Sequence, residues 1–159
     1  ILFFFSMLMC FGCAERKKAE ETGVTIVEPD DRPNFEIRTL KGDRIQVKSL
    51  SENMMLIFFQ PDCDHCHNEA KQIKDRLALF KDYKLYFISS QSAPEITKFA
   101  EQYQLLGNGN VEFATATVQD VLDHYGPIET PSIYVYSKKG KLIQSFNGEV
   151  EIDVVLKYI

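Results

Sequence analysis

The chain has 159 residues, 45% of them hydrophobic and 26% charged, with a formal net charge of −5 at pH 7. That length is enough for one domain with a core of its own and short additions, without disulfide staples. The acidic balance excludes nucleic acid as the main partner, because holding phosphates takes a basic surface.

The first twelve residues, ILFFFSMLMCFG, carry no charge. The run is too short to span a bilayer, which takes roughly 20 apolar residues. Its length fits the apolar part of a secretion signal, read here as lacking its first few residues. A charged stretch running from Glu15 to Glu21 follows at once and cannot continue an apolar helix. Gly12-Cys13 resembles the lipobox of bacterial lipoproteins, which implies cleavage before Cys13 and acylation of its sulfur. Cys10 stands where that motif usually has Leu, and bulky Met9 before it makes it the poorer candidate. The expected organisation is a signal peptide over 1–12, a lipidated Cys13 with a flexible tether through 32, and a folded domain over 33–159. The expected location is the bacterial cell envelope, lipid-anchored to a membrane and facing the periplasm or exterior.

Within the domain, 35–40 and 44–47 alternate apolar and polar residues around Lys41-Gly42-Asp43, which predicts a hairpin. The continuous apolar run 54–59, MMLIFF, fits a central strand covered on both faces. Asp62 is the expected cap of a helix that places Cys66, Ala70, Ile73, Leu77 and Phe80 on one face. A second buried strand covers 84–89. Ser92-Ala93-Pro94-Glu95 reads as a capping box with proline in the first turn, opening a helix that buries Ile96, Phe99, Ala100 and Tyr103. A short strand is expected over 111–116. Thr117 then caps a helix expected to bury Val118, Val121, Leu122 and Tyr125, ended by Gly126-Pro127. Strands over 132–136 and 141–146 form a second hairpin, and Ile152, Val155, Leu156 and Ile159 mark a last amphipathic helix. Strands alternating with helices predict an α/β fold with helices on both faces of a mixed central sheet.

Four cysteines are present, and with Cys10 and Cys13 assigned to the leader and the anchor, Cys63 and Cys66 remain in C-x-x-C spacing. A loop that small adds little as a staple, so the pair points to redox chemistry or ligation. Placed after a buried strand and at the opening of a helix, Cys63 gains from the helix N-terminus, which favours a thiolate. Cys63 is the expected attacking sulfur, and Cys66, one turn later on the buried face, the resolving one. The dipeptide between them has mixed sign: a cationic His65 favours the thiolate and an oxidant, while Asp64 does the opposite. The direction of electron flow therefore stays open.

Three segments carry a resemblance to the thioredoxin superfamily, and within it to the TlpA/ResA-like membrane-tethered proteins. They are MMLIFFQPDCDHCHNEAKQI; Glu129-Thr130-Pro131-Ser132 with the following strand, Lys138-Lys139-Gly140 and Gly148; and the leading PNFEIRTLKGDRIQVKSL. The resemblance implies a thioredoxin-like fold with an N-terminal β-hairpin extension and a thiol–disulfide oxidoreductase activity. It implies no cofactor beyond the redox-active Cys63–Cys66 disulfide, and partners that are protein thiols or disulfides plus an upstream redox partner in the envelope. It further implies that Pro131 is a cis-proline beside the pair and that the Thr130 backbone meets an extended substrate. Glu69, three residues after Cys66, matches an acidic residue of the ResA-like branch and could exchange a proton with Cys66, since the two share a helix face; a solvated surface glutamate is the alternative. The chain departs from the pattern in having Asp62 where thioredoxins usually have Trp, no Trp anywhere, and Ile57 where they bury an acid.

Other readings of the same residues stay open. Cys63 to His67 also spells C-x-x-C-H, the attachment signature of c-type haem. Cys63, Cys66, His65 and His67 are soft or borderline ligands, so an envelope metal-binding protein is a second reading, although four ligands in five helical residues cannot all reach one ion. A non-catalytic adaptor that keeps only the fold is the third.

Overall fold

In the computed structural model, which describes residues 29–159, the first hairpin pairs β1 (Glu36–Thr39) antiparallel with β2 (Arg44–Gln46). The apolar run becomes β3 (Met54–Phe58), every residue of it buried. It is followed by α1 (Asp64–Asp75), β4 (Lys84–Ser89), α2 (Ala93–Gln102), β5 (Val111–Thr115) and α3 (Val118–Tyr125). The closing hairpin is β6 (Ser132–Tyr136) with β7 (Leu142–Asn147), and α4 (Ile152–Val155) runs into a single 3₁₀ turn. Together the strands make a seven-stranded sheet in the order β2-β1-β5-β4-β3-β6-β7. The pairs β3–β4 and β4–β5 are parallel and the rest antiparallel, so the sheet is mixed.

Alternation along β3 divides the core. Met55, Ile57 and the following Phe59 face one side, where Cys66, Ala70 and Ile73 of α1 pack with Ile96, Phe99 and Ala100 of α2 and Ile152 and Val155 of α4. Met54, Leu56 and Phe58 face the other, against Phe35, Val47 and Tyr86, with Val121 and Tyr125 of α3 only partly buried there. Period-2 strands meeting 3.6-period helices on two faces bury both clusters. The Ser92–Glu95 capping box forms, with the Ser92 N–H donating to Glu95 at 3.1 Å.

Two expectations need correction. Leu77 and Phe80 do not extend α1; they sit in a separate 3₁₀ turn, Leu77–Phe80, after the helix ends at Asp75. The predicted apolar stripe of α3 is not buried: Val118 is 57% and Leu122 42% exposed, and no residue of the helix is fully covered. Val121 and Tyr125 pack against the core while Val118 and Leu122 do not, so half of its apolar face meets water.

Register sets the site. Phe58 at the carboxyl end of β3 pairs with Ser132, the first residue of antiparallel β6, so the loop after β3 and the segment before β6 share one end of the sheet. The turn between β6 and β7 lies at the opposite end, where the entering chain docks. Asp31 N–H donates to Gly140 O at 2.9 Å, Leu142 N–H donates to an Asp31 carboxylate oxygen at 3.0 Å, and Lys141 pairs with Asp31 at 2.9 Å. Gly140 has φ +84, and a Cβ there would lie 2.2 Å from an Asp30 oxygen, so this contact needs glycine. Cys13, and with it the leader and the tether up to residue 28, lies outside the described residues.

Candidate active site

The loop after β3 turns on a bond from Cys63 N–H to Gln60 O at 3.2 Å. Cys63 is itself the N-cap of α1: its backbone is extended, at φ −95 and ψ 117, and its Sγ accepts the N–H of Cys66 at 3.3 Å. This corrects the assignment of that role to Asp62, which stays exposed in the loop. The sulfur occupies the place where a capping carboxylate or hydroxyl usually satisfies an orphan donor of the first turn. Cys63 lies directly at the amide ends of the helix, the geometry that favours charge on an acceptor.

At the same end of the sheet, the Thr130–Pro131 peptide is cis. The Thr130 carbonyl accepts the Cys63 thiol at 3.5 Å, so the segment before β6 touches the Cys63 sulfur directly. Pro131 is buried and Thr130 half-buried. Both cysteines are free thiols; Cys63 is partly exposed and Cys66 only 2% exposed. Burial, followed by the bond with Cys63, pushes the Cys66 thiol well above its ordinary range.

Glu69 lies on the same inward stripe of α1 and is 1% exposed, which removes the solvated-surface reading. Neither of its carboxylate oxygens makes a hydrogen bond of normal geometry. Burial pushes this carboxyl up from 4.5 to about 8, and the nearby Glu149 pushes the same way, against a partial lowering by the Val150 amide. A carboxyl in that range is largely protonated at neutral pH and able to give or take a proton.

The dipeptide residues point outward. Asp64 is exposed, and His65 reaches across to hydrogen-bond Glu149 through Nδ1. His67 turns the other way, its Nδ1 2.7 Å from the Tyr103 hydroxyl and its ring 5.2 Å from that of Phe99. The ring nitrogens of the two histidines therefore do not converge on the cysteines. Beside Thr130 opens a groove of about 260 Å³, lined among others by Phe58, Gln60, Val118, Leu122 and Ile128. All its described lining residues are uncharged.

Sequence reasoning singles out Cys63, Cys66, Glu69, Thr130, Pro131, Asp64 and His65, and the fold gathers them at one end of the sheet. It misses Glu149 and the groove. Glu149 carries no local signal, being brought to His65 only by the return of β7. The groove is hidden because an amphipathic helix on a sheet is presumed buried.

A C-x-x-C at a helix N-terminus, facing a cis-proline across a mixed sheet with helices on both faces, defines a thioredoxin-like protein. Within that class the chain belongs to the AhpC/TSA family, whose sequence profile matches residues 29–145. The thiol–disulfide oxidoreductase ResA of Bacillus thuringiensis subsp. konkukian is 24% identical over 135 residues, covering 81% of this chain and 75% of that protein. A secreted Mycobacterium tuberculosis disulfide oxidoreductase homologous to E. coli DsbE superposes with a TM-score of 0.68 at 20% identity, over 82% of this chain and 97% of that one. StoA of Bacillus subtilis superposes with a TM-score of 0.61 at 16% identity, over 78% and 94%. These structures share the fold.

Proposed function

We propose that this chain is a thiol–disulfide oxidoreductase of the bacterial cell envelope, passing two electrons between the Cys63–Cys66 pair and protein thiols or disulfides. The observation that carries the reading is the asymmetry of the pair. Cys63 is partly exposed with a backbone N–H on its sulfur, and Cys66 is 2% exposed behind it. In the reducing direction, the Cys63 thiolate attacks a substrate disulfide, forming a mixed disulfide and expelling one substrate thiolate. Cys66 loses its proton and attacks the Cys63 sulfur, which releases the second substrate thiolate and leaves the Cys63–Cys66 disulfide. Glu69, buried on the same face and tuned to about 8, takes the Cys66 proton when it is in its carboxylate form, the minor form at neutral pH. The opposite direction runs the same steps backwards. The pair itself is the redox group, and no further cofactor enters these steps.

Substrate enters as an extended chain along Thr130 and Pro131, and the uncharged groove beside Thr130 receives a large apolar side chain next to the reacting cysteine. A secreted protein among the solved structures supports an exported setting. A lipid anchor at Cys13 would join the domain at the end opposite the cysteines, where Asp30–Arg32 dock, leaving the pair free to face partners. An upstream redox partner would meet the same exposed sulfur. Haem attachment fits less well, since Cys66 is 2% exposed and His67 is held by Tyr103.

Trapping tests the reading. Cys66→Ser should accumulate mixed disulfides through Cys63 in envelope extracts, visible as adducts released by dithiothreitol. Cys63→Ser should trap almost none. Equal trapping by both variants, or none by either, contradicts the assignment.

A further inference from the structure

The turn after β7 meets the site from a third side. Gly148, at φ +88, donates its N–H to Pro131 O at 2.9 Å, and Asn147 Oδ1 accepts Glu129 N–H and Ser132 Oγ, each at 2.9 Å. Two residues further on, the Val150 amide approaches Glu69, and beyond it Ile152 N–H donates to Gln72 Oε1 at 3.0 Å and Asp153 pairs with Arg76. The segment is thus fastened to the cis-proline on one side and to α1 on the other. Between those fastenings Glu149 projects onto His65, the second residue of the dipeptide between the cysteines.

We propose that Glu149 is a positioning residue for the Cys63–Cys66 pair, holding His65 and cancelling the positive charge it would lend to Cys63, so that the pair is a weaker oxidant than its dipeptide alone would make it. The proposal rests on the redox reading above. The titratable side chains near the pair are Asp62, Asp64, His65 and His67 at the start of α1, Glu69 beneath it and largely neutral, Glu129 ahead of Pro131, and Glu149. At a fixed protonation state of His65, the charge beside Cys63 is one unit more negative with Glu149 than without it. Removing that carboxylate favours the thiolate, and stabilising the thiolate stabilises the dithiol form, which is what makes a pair oxidising. The side chain of His65 is 70% exposed and that of Glu149 30%, so the effect is modest, in the range found for exposed charge pairs.

The test uses the full chain. The rate of Cys63 carboxamidomethylation by iodoacetamide at pH 7, and the equilibrium of the pair with glutathione, are measured for Glu149→Gln, Glu149→Asp, His65→Gln and the Glu149→Gln/His65→Gln double variant. Glu149→Gln should alkylate roughly threefold faster and shift the glutathione equilibrium roughly threefold toward the dithiol. Glu149→Asp should stay close to the parent. In the His65→Gln background, where nothing holds the carboxylate in place, Glu149→Gln should change little. An unchanged rate and equilibrium in Glu149→Gln, or a shift of the same size without His65, overturns the proposal. Neither measurement depends on trapped substrates, so a failure of the oxidoreductase reading shows separately, as absent adducts with Cys66→Ser.

Discussion

Helices α1 and α3 are capped alike and buried oppositely. Cys63 Sγ accepts the N–H of Cys66, and Thr117 Oγ1 accepts the N–H of Asp120 at 3.0 Å, each three residues into its helix. Both sequences carry an apolar stripe. On α1 the stripe is fully covered, and it takes Glu69 inside with no good hydrogen bond. On α3 the stripe leaves Val118 and Leu122 in water. One helix therefore buries a carboxyl that solvent would favour, and the other exposes hydrocarbon that solvent rejects. Glu69 shares the inward face of α1 with Cys66, and Val118 and Leu122 line the groove beside Thr130. Departures from the burial rule are expected at functional sites, and these two fall on the helices that flank the proposed one.

The largest expected effect is at Glu69. Its folded carboxyl titrates near 8 against an ordinary 4.5, so the folded state keeps a proton that the unfolded chain releases. The stability that this proton represents is fully present below about pH 4.5 and is lost as pH rises through about 8. Glu69→Gln, which has nothing to titrate, should lose less over that window. Urea unfolding at pH 5 and pH 9 should show the variant gaining on the parent by on the order of a few kcal/mol. Parallel curves for the two proteins would mean that Glu69 is not held neutral by its surroundings, and α1 would lose its half of the contrast.

On α3 the expected effect falls on binding rather than stability. Leu122→Ser removes a side chain already 42% exposed, so unfolding should change by less than about 0.5 kcal/mol. Reduction of a mixed-disulfide peptide with a Leu or Phe beside its cysteine should lose about tenfold in kcat/KM, the value of one apolar contact in a pocket. The same peptide with Ser at that place should be unaffected. A stability loss with no change in peptide discrimination would return α3 to an ordinary packing helix.

Local pattern in the sequence carries much of the fold and the centre of the site. The βαβ order, the Ser92 and Thr117 caps, the buried strands over 54–59 and 84–89, and the C-x-x-C between a strand and a helix are all legible in it. What escapes depends on contacts distant in sequence. Amphipathic spacing shows that α3 has an apolar side but not whether the sheet reaches far enough to cover it. A cysteine is not among the usual caps, so the pattern favours Asp62 over Cys63, and only the backbone dihedrals separate the two. Glu69 falls on the Cys66 face by its i, i+3 spacing, yet its burial depends on the α4 segment that closes over it. The partnership of His65 with Glu149 joins positions that only the β6–β7 return brings together.

The most direct measurement is the relative reactivity of the two thiols. In the reduced chain, limiting iodoacetamide near neutral pH, followed by peptide mass mapping, gives the alkylation rate at each cysteine. The account predicts labelling of Cys63 at least about tenfold faster than Cys66, whose thiol is buried and held protonated. Equal rates, or faster labelling of Cys66, would contradict the division into attacking and resolving sulfurs on which the proposed function rests.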